Sequence, residues 1–187
     1  LYRQMEAANQ MLSREALSDA LTNLGNRNRF KKTIQAFEFD KQGCGTLGCI
    51  YIDVNGLHEI NNHLGHQAGD QMLKTISDIF QEYFDSQDIF RIGGDEFVIL
   101  CKNVGRGDLE HRTEQVRRRT EEAGFFLSTG LEWRESALDI EDVIQKAERA
   151  MQENKRGFYS SKGGERQKRE LNQYMERLIS EKKDADR

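Results

Sequence analysis

Apolar and polar residues along the chain follow patterns that predict a mixture of helices and strands. The largely apolar run from Thr46 to Val54 predicts a central strand that is buried on both faces. Residues 125–133, where apolar residues alternate with small ones, predict another strand. Helices are predicted over residues 1–18, 27–39, 57–64, 107–123 and 139–157, and for a further segment that carries Asp70 in its first turn.

Both ends of the chain leave alternatives open. Two heptads in residues 1–18 are too few to establish a coiled coil, so this helix either packs on its own domain or holds two copies together. After a Ser/Gly/Lys-rich break at 160–165, the amphipathic tail is either a packing or dimerising helix or a linker.

The stretch Phe90–Leu100 contains two apolar runs that meet at Gly93 and Gly94, which predicts a tight hairpin with positive φ at both glycines. Asp95 and Glu96 follow directly, so two mutually repelling carboxylates are expected at the hairpin tip. Next to glycines that allow close backbone approach, such a pair favours a divalent cation and a phosphate. A polar hairpin turn is the alternative.

Asp53 ends the predicted central strand, where a buried carboxylate needs a partner or a metal. A cap at the end of the strand is the alternative, but the second acidic pair downstream favours the metal. The following turn, Asn55-Gly56-Leu57, opens a helix whose free N–H groups form an anion site.

Two charged positions have competing explanations. Asp70 suits the dipole of a helix N-terminus, but its carboxylate can also accept hydrogen bonds from N1–H and the exocyclic amine of a guanine. Lys155 and Arg156 are predicted to end a helix, where cations suit the dipole.

Composition narrows the function classes. A net charge of −4 and a pI near 5.7 argue against a nucleic-acid binder. Three cysteines without metal-ligand spacing indicate free thiols in a reducing cytoplasm. No apolar run has membrane-spanning length, and the start at Leu1 in a predicted helix favours a piece of a longer protein with sensory or output domains elsewhere.

The stretch Arg91–Phe97 resembles the signature of the GGDEF family, the diguanylate cyclases. Asp19–Arg27 resembles the Leu-Thr-x-Leu segment that precedes such domains. The block from Asp53 to Asp70 and the late helix Ala147–Lys155 match in the same order, so the resemblance covers residues 19–157.

The resemblance implies a ferredoxin-like nucleotidyl-cyclase sandwich, an α+β fold with a mostly antiparallel central sheet wrapped by helices. It divides the chain into a signalling or linker helix (1–18), the cyclase domain (19–162) and a C-terminal helix or linker (163–187). The implied reaction condenses two GTP into cyclic di-GMP and pyrophosphate at the interface of a homodimer.

The implied site has metal, catalytic and nucleotide-binding parts. Mg²⁺, with Mn²⁺ as an alternative, is expected on Asp53, the Val54 carbonyl, Asp95 and Glu96. Glu96 is the expected base for the ribose 3′-hydroxyl, and Asp95 and His58 are the other expected catalytic residues. The expected substrate contacts are Asn61, His66, Asp70, Gly56, Leu57, Lys155, Gly93 and Gly94.

Several departures from the family pattern favour an alternative function. His58 replaces a usual Lys, Asn62 replaces a common Asp, and the Gly-Arg-Asn after the last helix is absent. Phe84-Asp85-Ser86-Gln87 stands where the family has R-x-x-D, so no feedback binding of cyclic di-GMP is expected there. The alternative is a catalytically weak or inactive domain that binds GTP or a protein partner and signals without turnover.

Overall fold

The computed structural model describes residues 16–39, 45–136, 139–160 and 162–185. Within these ranges the helices are α1 (Arg27–Phe39), α2 (Leu57–Leu64), α3 (His66–Tyr83), α4 (Arg106–Glu122), α5 (Ile140–Ser160) and α6 (Lys162–Ala185). The strands are β1 (Leu47–Asn55), β2 (Ile89–Arg91), β3 (Glu96–Lys102) and β4 (Phe126–Arg134). Residues 1–15 of the predicted N-terminal helix lie outside the described residues.

The four strands form one sheet in the order β2-β3-β1-β4, and all neighbouring strands are antiparallel. Strand β1 lies inside the sheet, and all nine of its residues are buried. The predicted central strand is therefore confirmed. Its continuous apolar run reflects burial on both faces, since alternate residues of a strand point to opposite sides.

The two faces of the sheet carry separate hydrophobic cores. Ile50, Ile52 and Val54 point to one face, where they form the first core with apolar residues of α2, α3, α4 and α6. Cys49 and Tyr51 point to the other face, where they join residues of α1 and α5. The result is a sheet covered by helices on both sides, as the sequence predicts.

Helix α5 crosses the sheet at Gly130 of β4. A Cβ atom on Gly130 would overlap with the Ala147 carbonyl oxygen and the Met151 nitrogen. The helix backbone therefore lies directly on the strand, an approach that requires a glycine. This contact fixes the C-terminal half of α5, including Lys155, beside the end of β1.

The predicted end of α5 at Gly157 is wrong, and the predicted break at 160–165 is too long. Helix α5 continues to Ser160, and α6 already begins at Lys162. An interior glycine costs a helix only about 1 kcal/mol. The ring of Phe158, 5.9 Å from that of Phe126, packs the final turn and opposes this cost.

Helix α6 packs on the domain. Leu171 and Met175 are buried in the first core, and Tyr174 makes an edge-to-face contact with Phe125 at 5.1 Å between ring centroids. Among the described helices, none is long and apolar enough to cross a membrane.

We expect Gly130→Ala to destabilise the fold by about 1–3 kcal/mol, because the new methyl group must push α5 away from the sheet. Urea unfolding followed by circular dichroism measures this change. Gly157→Ala is the matched control, since its Cβ meets no atom within 4 Å and a better helix former should leave stability unchanged or raised. Equal stability of Gly130→Ala and wild type would contradict the close approach.

Candidate active site

Strands β2 and β3 form the predicted hairpin, but not with the predicted turn. The N–H of Ile92 donates to the Glu96 carbonyl at 2.9 Å, and Arg91 pairs with Phe97. Gly93 and Gly94 are not among the glycines with positive φ. The expected two-residue turn is wrong because the loop spans residues 92–95 and so does not need left-handed residues to match the strand twist.

The two glycines of this loop have different surroundings. A Cβ on Gly93 would lie 2.8 Å from Glu96 Oε2 and 3.3 Å from Glu96 Cβ, so Gly93 leaves room for that side chain. A Cβ on Gly94 would meet nothing within 4 Å, and this residue is exposed. The loop is therefore closed at Gly93 and open to an incoming group at Gly94.

The three acids predicted for the site converge at the end of the sheet. Asp53 on β1 lies directly opposite Glu96 on β3 in the antiparallel register. The Val54 N–H donates to the Asp95 carbonyl oxygen at 2.8 Å, which holds Asp95 against β1. Two segments about forty residues apart in sequence thus supply one acidic cluster.

Asp53 is the most buried of these acids, with 7% of its side chain exposed. Its Oδ2 accepts a hydrogen bond from Lys155 Nζ at 2.8 Å, and its Oδ1 is buried without a hydrogen-bond partner among the described residues. Burial raises the pKa of Asp53, the Lys155 hydrogen bond opposes this, and the charge of Asp95 adds to it. Burial and the charges of Asp95 and Asp53 raise the pKa of Glu96.

The carboxylate oxygens of this acidic cluster suit a hard cation. An acceptor-only oxygen without a partner, such as Asp53 Oδ1, is the type of ligand that oxygen-preferring divalent ions use. Within the described ranges, no three His, Cys, Asp or Glu side chains form a ready-made metal cluster. A cation at this place would therefore need a backbone carbonyl or ligand oxygens besides the carboxylates.

Helix α2 begins directly after the end of β1 that carries Asp53. Gly56 precedes the helix with φ 83° and ψ 7°, a left-handed conformation that favours glycine. The N–H groups of Leu57 and His58 belong to the first helical turn, where no partner exists inside the helix. These are the N–H groups at which the sequence predicts an anion site, and anion binding there stays a prediction.

Helices α2 and α3 meet at Gly69, where a Cβ would overlap with Asn61 Oδ1. That oxygen is buried and has no hydrogen-bond partner within the described part of the chain. Asp70, the next residue, is exposed. Because α3 begins at His66, Asp70 lies in the second turn; its predicted first-turn position is wrong, and the helix dipole loses force as its explanation.

His58 and Asn62 contact each other. His58 Nε2 and Asn62 Nδ2 are 2.9 Å apart, one helical turn from each other on the exposed side of α2. These are the two positions at which α2 departs from the pattern of the resembled family. A histidine and an asparagine therefore stand where that pattern has a lysine and an aspartate.

Comparison with known proteins decides the family. The model described as "Diguanylate cyclase, GGDEF domain" matches residues 16–158. This chain belongs to the GGDEF family.

Diguanylate cyclase DgcS of Shewanella oneidensis is 29% identical over 160 residues, which cover 84% of this chain and 53% of that protein. A diguanylate cyclase of Vibrio cholerae is 32% identical over 161 residues, covering 79% and 49%. The chain thus spans about half the length of these relatives.

The crystal structure of the coiled coil and GGDEF domain of DgcB from Caulobacter crescentus, in complex with c-di-GMP, has a similar fold. The TM-score is 0.73 at 21% identity, covering 83% of this chain and 89% of that one. The predicted fold class is confirmed.

Sequence reasoning assigned no role to Arg91, which holds the signature loop of this GGDEF domain. Its guanidinium group contacts both carboxylate oxygens of Asp19, at 2.9 and 3.1 Å, and donates to the Gly94 carbonyl at 2.8 and 3.2 Å. Arg27 Nε holds the other side of the loop through the Ile92 carbonyl at 2.8 Å. Asp19 and Arg91 each lie in a segment that resembles the family, Asp19–Arg27 and Arg91–Phe97, and this was the sequence signal for the contact.

The segment at the family's R-x-x-D position is also built differently. Phe84 stands at the arginine position and is buried in the first core, so it offers no group to a ligand. Arg29 binds the backbone carbonyls of Ser86 and Gln87 at 3.2 and 2.6 Å. The absence of feedback binding there stays a prediction.

We expect Asp19→Ala to destabilise the domain by about 1–3 kcal/mol, because Arg91 loses its carboxylate in a largely buried place, where the two side chains are 14% and 15% exposed. A double-mutant cycle with Arg91→Met, read by urea unfolding, measures the coupling. The exposed pair Asp108–Arg112 is the control, with an expected coupling of about 0.5 kcal/mol. A coupling no larger for Asp19–Arg91 would contradict its role.

Proposed function

We propose that this GGDEF domain is an active diguanylate cyclase, which condenses two GTP into cyclic di-GMP with release of pyrophosphate. The observation that carries the proposal is the unpartnered, buried oxygen of Asp53, directly across the sheet from Glu96 and beside the signature loop. An unpartnered buried carboxylate oxygen costs stability, which a function at this place explains.

Mg²⁺, or alternatively Mn²⁺, is the proposed cofactor. Asp53, the Val54 carbonyl, Asp95 and Glu96 would hold it, and the unpartnered Asp53 oxygen supports this choice. When bound, the ion would neutralise the charge that develops on the phosphates.

Other residues of the domain would bind the nucleotide. Asn61 and Asp70, on helices that meet at Gly69, would bind the guanine edge, and His66 at the start of α3 would contact the nucleotide. The α2 N–H groups near Gly56 and Leu57 would bind phosphate oxygens.

At the reacting end, the loop that contains Gly93 and Gly94 is open at Gly94 and would admit the triphosphate there, with Lys155 nearby as a cation for it. Glu96 would assist deprotonation of the ribose 3′-hydroxyl, because its carboxylate lies at the loop beside Gly93.

The product requires two such sites facing each other. Each domain binds one GTP, and each of the two phosphodiester bonds joins the nucleotides of different domains. A homodimer is therefore part of the proposal, with the segment before residue 19 as the element that brings two copies together. Sensory or output domains, if this chain is part of a longer protein, would control that approach.

A second function has a specific observation in its favour. His58 bonds to Asn62 where the family pattern has a lysine, so a fixed positive charge is missing at the start of α2. Such a domain would bind GTP or a protein partner and signal without turnover. The intact acidic end and the guanine-binding residues support the cyclase instead.

Cyclic di-GMP formed from GTP and Mg²⁺, followed by liquid chromatography over a range of protein concentrations, tests the cyclase. We expect a rate that rises faster than linearly with protein, and a loss of about 10²-fold or more in Glu96→Gln. Glu110→Gln, on the exposed face of α4, is the matched control. GTP binding without product at any concentration would establish the signalling module instead.

We expect His58→Lys to raise turnover by up to about 10²-fold, because it restores the positive charge at the first turn of α2. The gain should persist or grow when Asn62→Asp is added. His63→Lys is the matched control, since His63 is exposed on the same helix and its ring contacts the Glu59 carbonyl of that helix. An equal gain in His63→Lys would show that any added positive charge on α2 raises turnover, whatever its position.

A further inference from the structure

The ammonium group of Lys155 neutralises the acid that the proposed function needs. Lys155 Nζ lies 2.8 Å from Asp53 Oδ2, and this contact connects α5 to the end of β1. At this distance the ammonium group forms an ion pair with the carboxylate. Lys155 is therefore the counter-ion of Asp53.

The two partners of this contact differ in how exposed they are to solvent. Asp53 is almost fully buried, whereas 38% of the Lys155 side chain is exposed. The carboxylate is fixed on a strand inside the sheet, but the lysine hangs on a flexible four-carbon stem at the surface. Of the two partners, only Lys155 can leave without disturbing the core.

Lys155 and a divalent cation compete for the same carboxylate. An ammonium ion on Oδ2 and a metal ion on Oδ1 would be like charges a few ångströms apart in a half-buried place, where repulsion is poorly screened. The metal gains Asp53 fully only if Lys155 moves away. A triphosphate offers Lys155 another anion, so nucleotide binding can draw it off.

We propose that Lys155 is an internal counter-ion which holds Asp53 closed to metal until a triphosphate draws it away, so that metal and nucleotide bind together. This inference rests on the metal site of the proposed function. It assigns Lys155 two alternating partners, Asp53 and phosphate. Because coupling between two ligands is reciprocal, metal binding should also favour the lysine position that receives phosphate.

Binding of Mn²⁺ alone, counted by electron paramagnetic resonance of the free ion, tests the exchange. We expect Lys155→Met to bind Mn²⁺ about 10-fold more tightly than wild type, a typical coupling between sites. Lys146→Met, which removes an exposed lysine of the same helix paired with Asp142, should match wild type. Equal or weaker binding by Lys155→Met overturns the proposal.

The same titration with a GTP analogue that carries a methylene group between the α and β phosphates measures the coupling. The analogue should strengthen Mn²⁺ binding by a larger factor in wild type than in Lys155→Met. Equal factors overturn the proposal. If wild type still forms cyclic di-GMP in that case, the cyclase stands and only the role of Lys155 fails.

A measurement on the unaltered protein covers the case in which Lys155→Met does not fold. Acetylation by acetic anhydride, followed by mass spectrometry, reports how available each lysine is. Saturating Mn²⁺ without nucleotide should raise the rate at Lys155 several-fold and leave Lys146 unchanged. An unchanged rate at Lys155 overturns the proposal.

Discussion

The register between β1 and β3 is the constraint on which the site depends. It sets Asp53 opposite Glu96 and puts the loop after β2 beside the start of α2. A shift of one residue would turn Asp53 to the other face of the sheet, away from Lys155 and Glu96. The two apolar faces of β1 prevent such a shift, because each packs on a different hydrophobic core. Packing therefore holds the acids together although they repel each other.

Long apolar patterns predicted the fold well. The apolar run from Thr46 to Val54 predicted the buried strand, and helical spacing predicted α1 and α3, because burial imposes these periods directly on the sequence. Short-range signals were less reliable. Gly93 and Gly94 indicated a two-residue turn with positive φ, but neither has a positive φ. Gly93 instead leaves room for the Glu96 side chain, and Gly94 is exposed.

Two charged residues show why helix ends limit what a sequence can say about a site. The dipole explanations of Asp70 and Lys155 assumed that a helix begins near the first and ends near the second. Helix α3 starts four residues before Asp70 and α5 ends five residues after Lys155, so neither charge lies in a terminal turn. The contact of Arg91 with Asp19 was out of reach because its partners are 72 residues apart.

The packing of α6 has a consequence for where this module ends as a physical unit. The family match stops at residue 158, but Leu171 and Met175 complete the hydrophobic core beside α2. A chain cut at the family boundary would expose that part of the core to water and lose the aromatic contact of Tyr174 with Phe125. The unit that folds is thus larger than the segment that the family model matches.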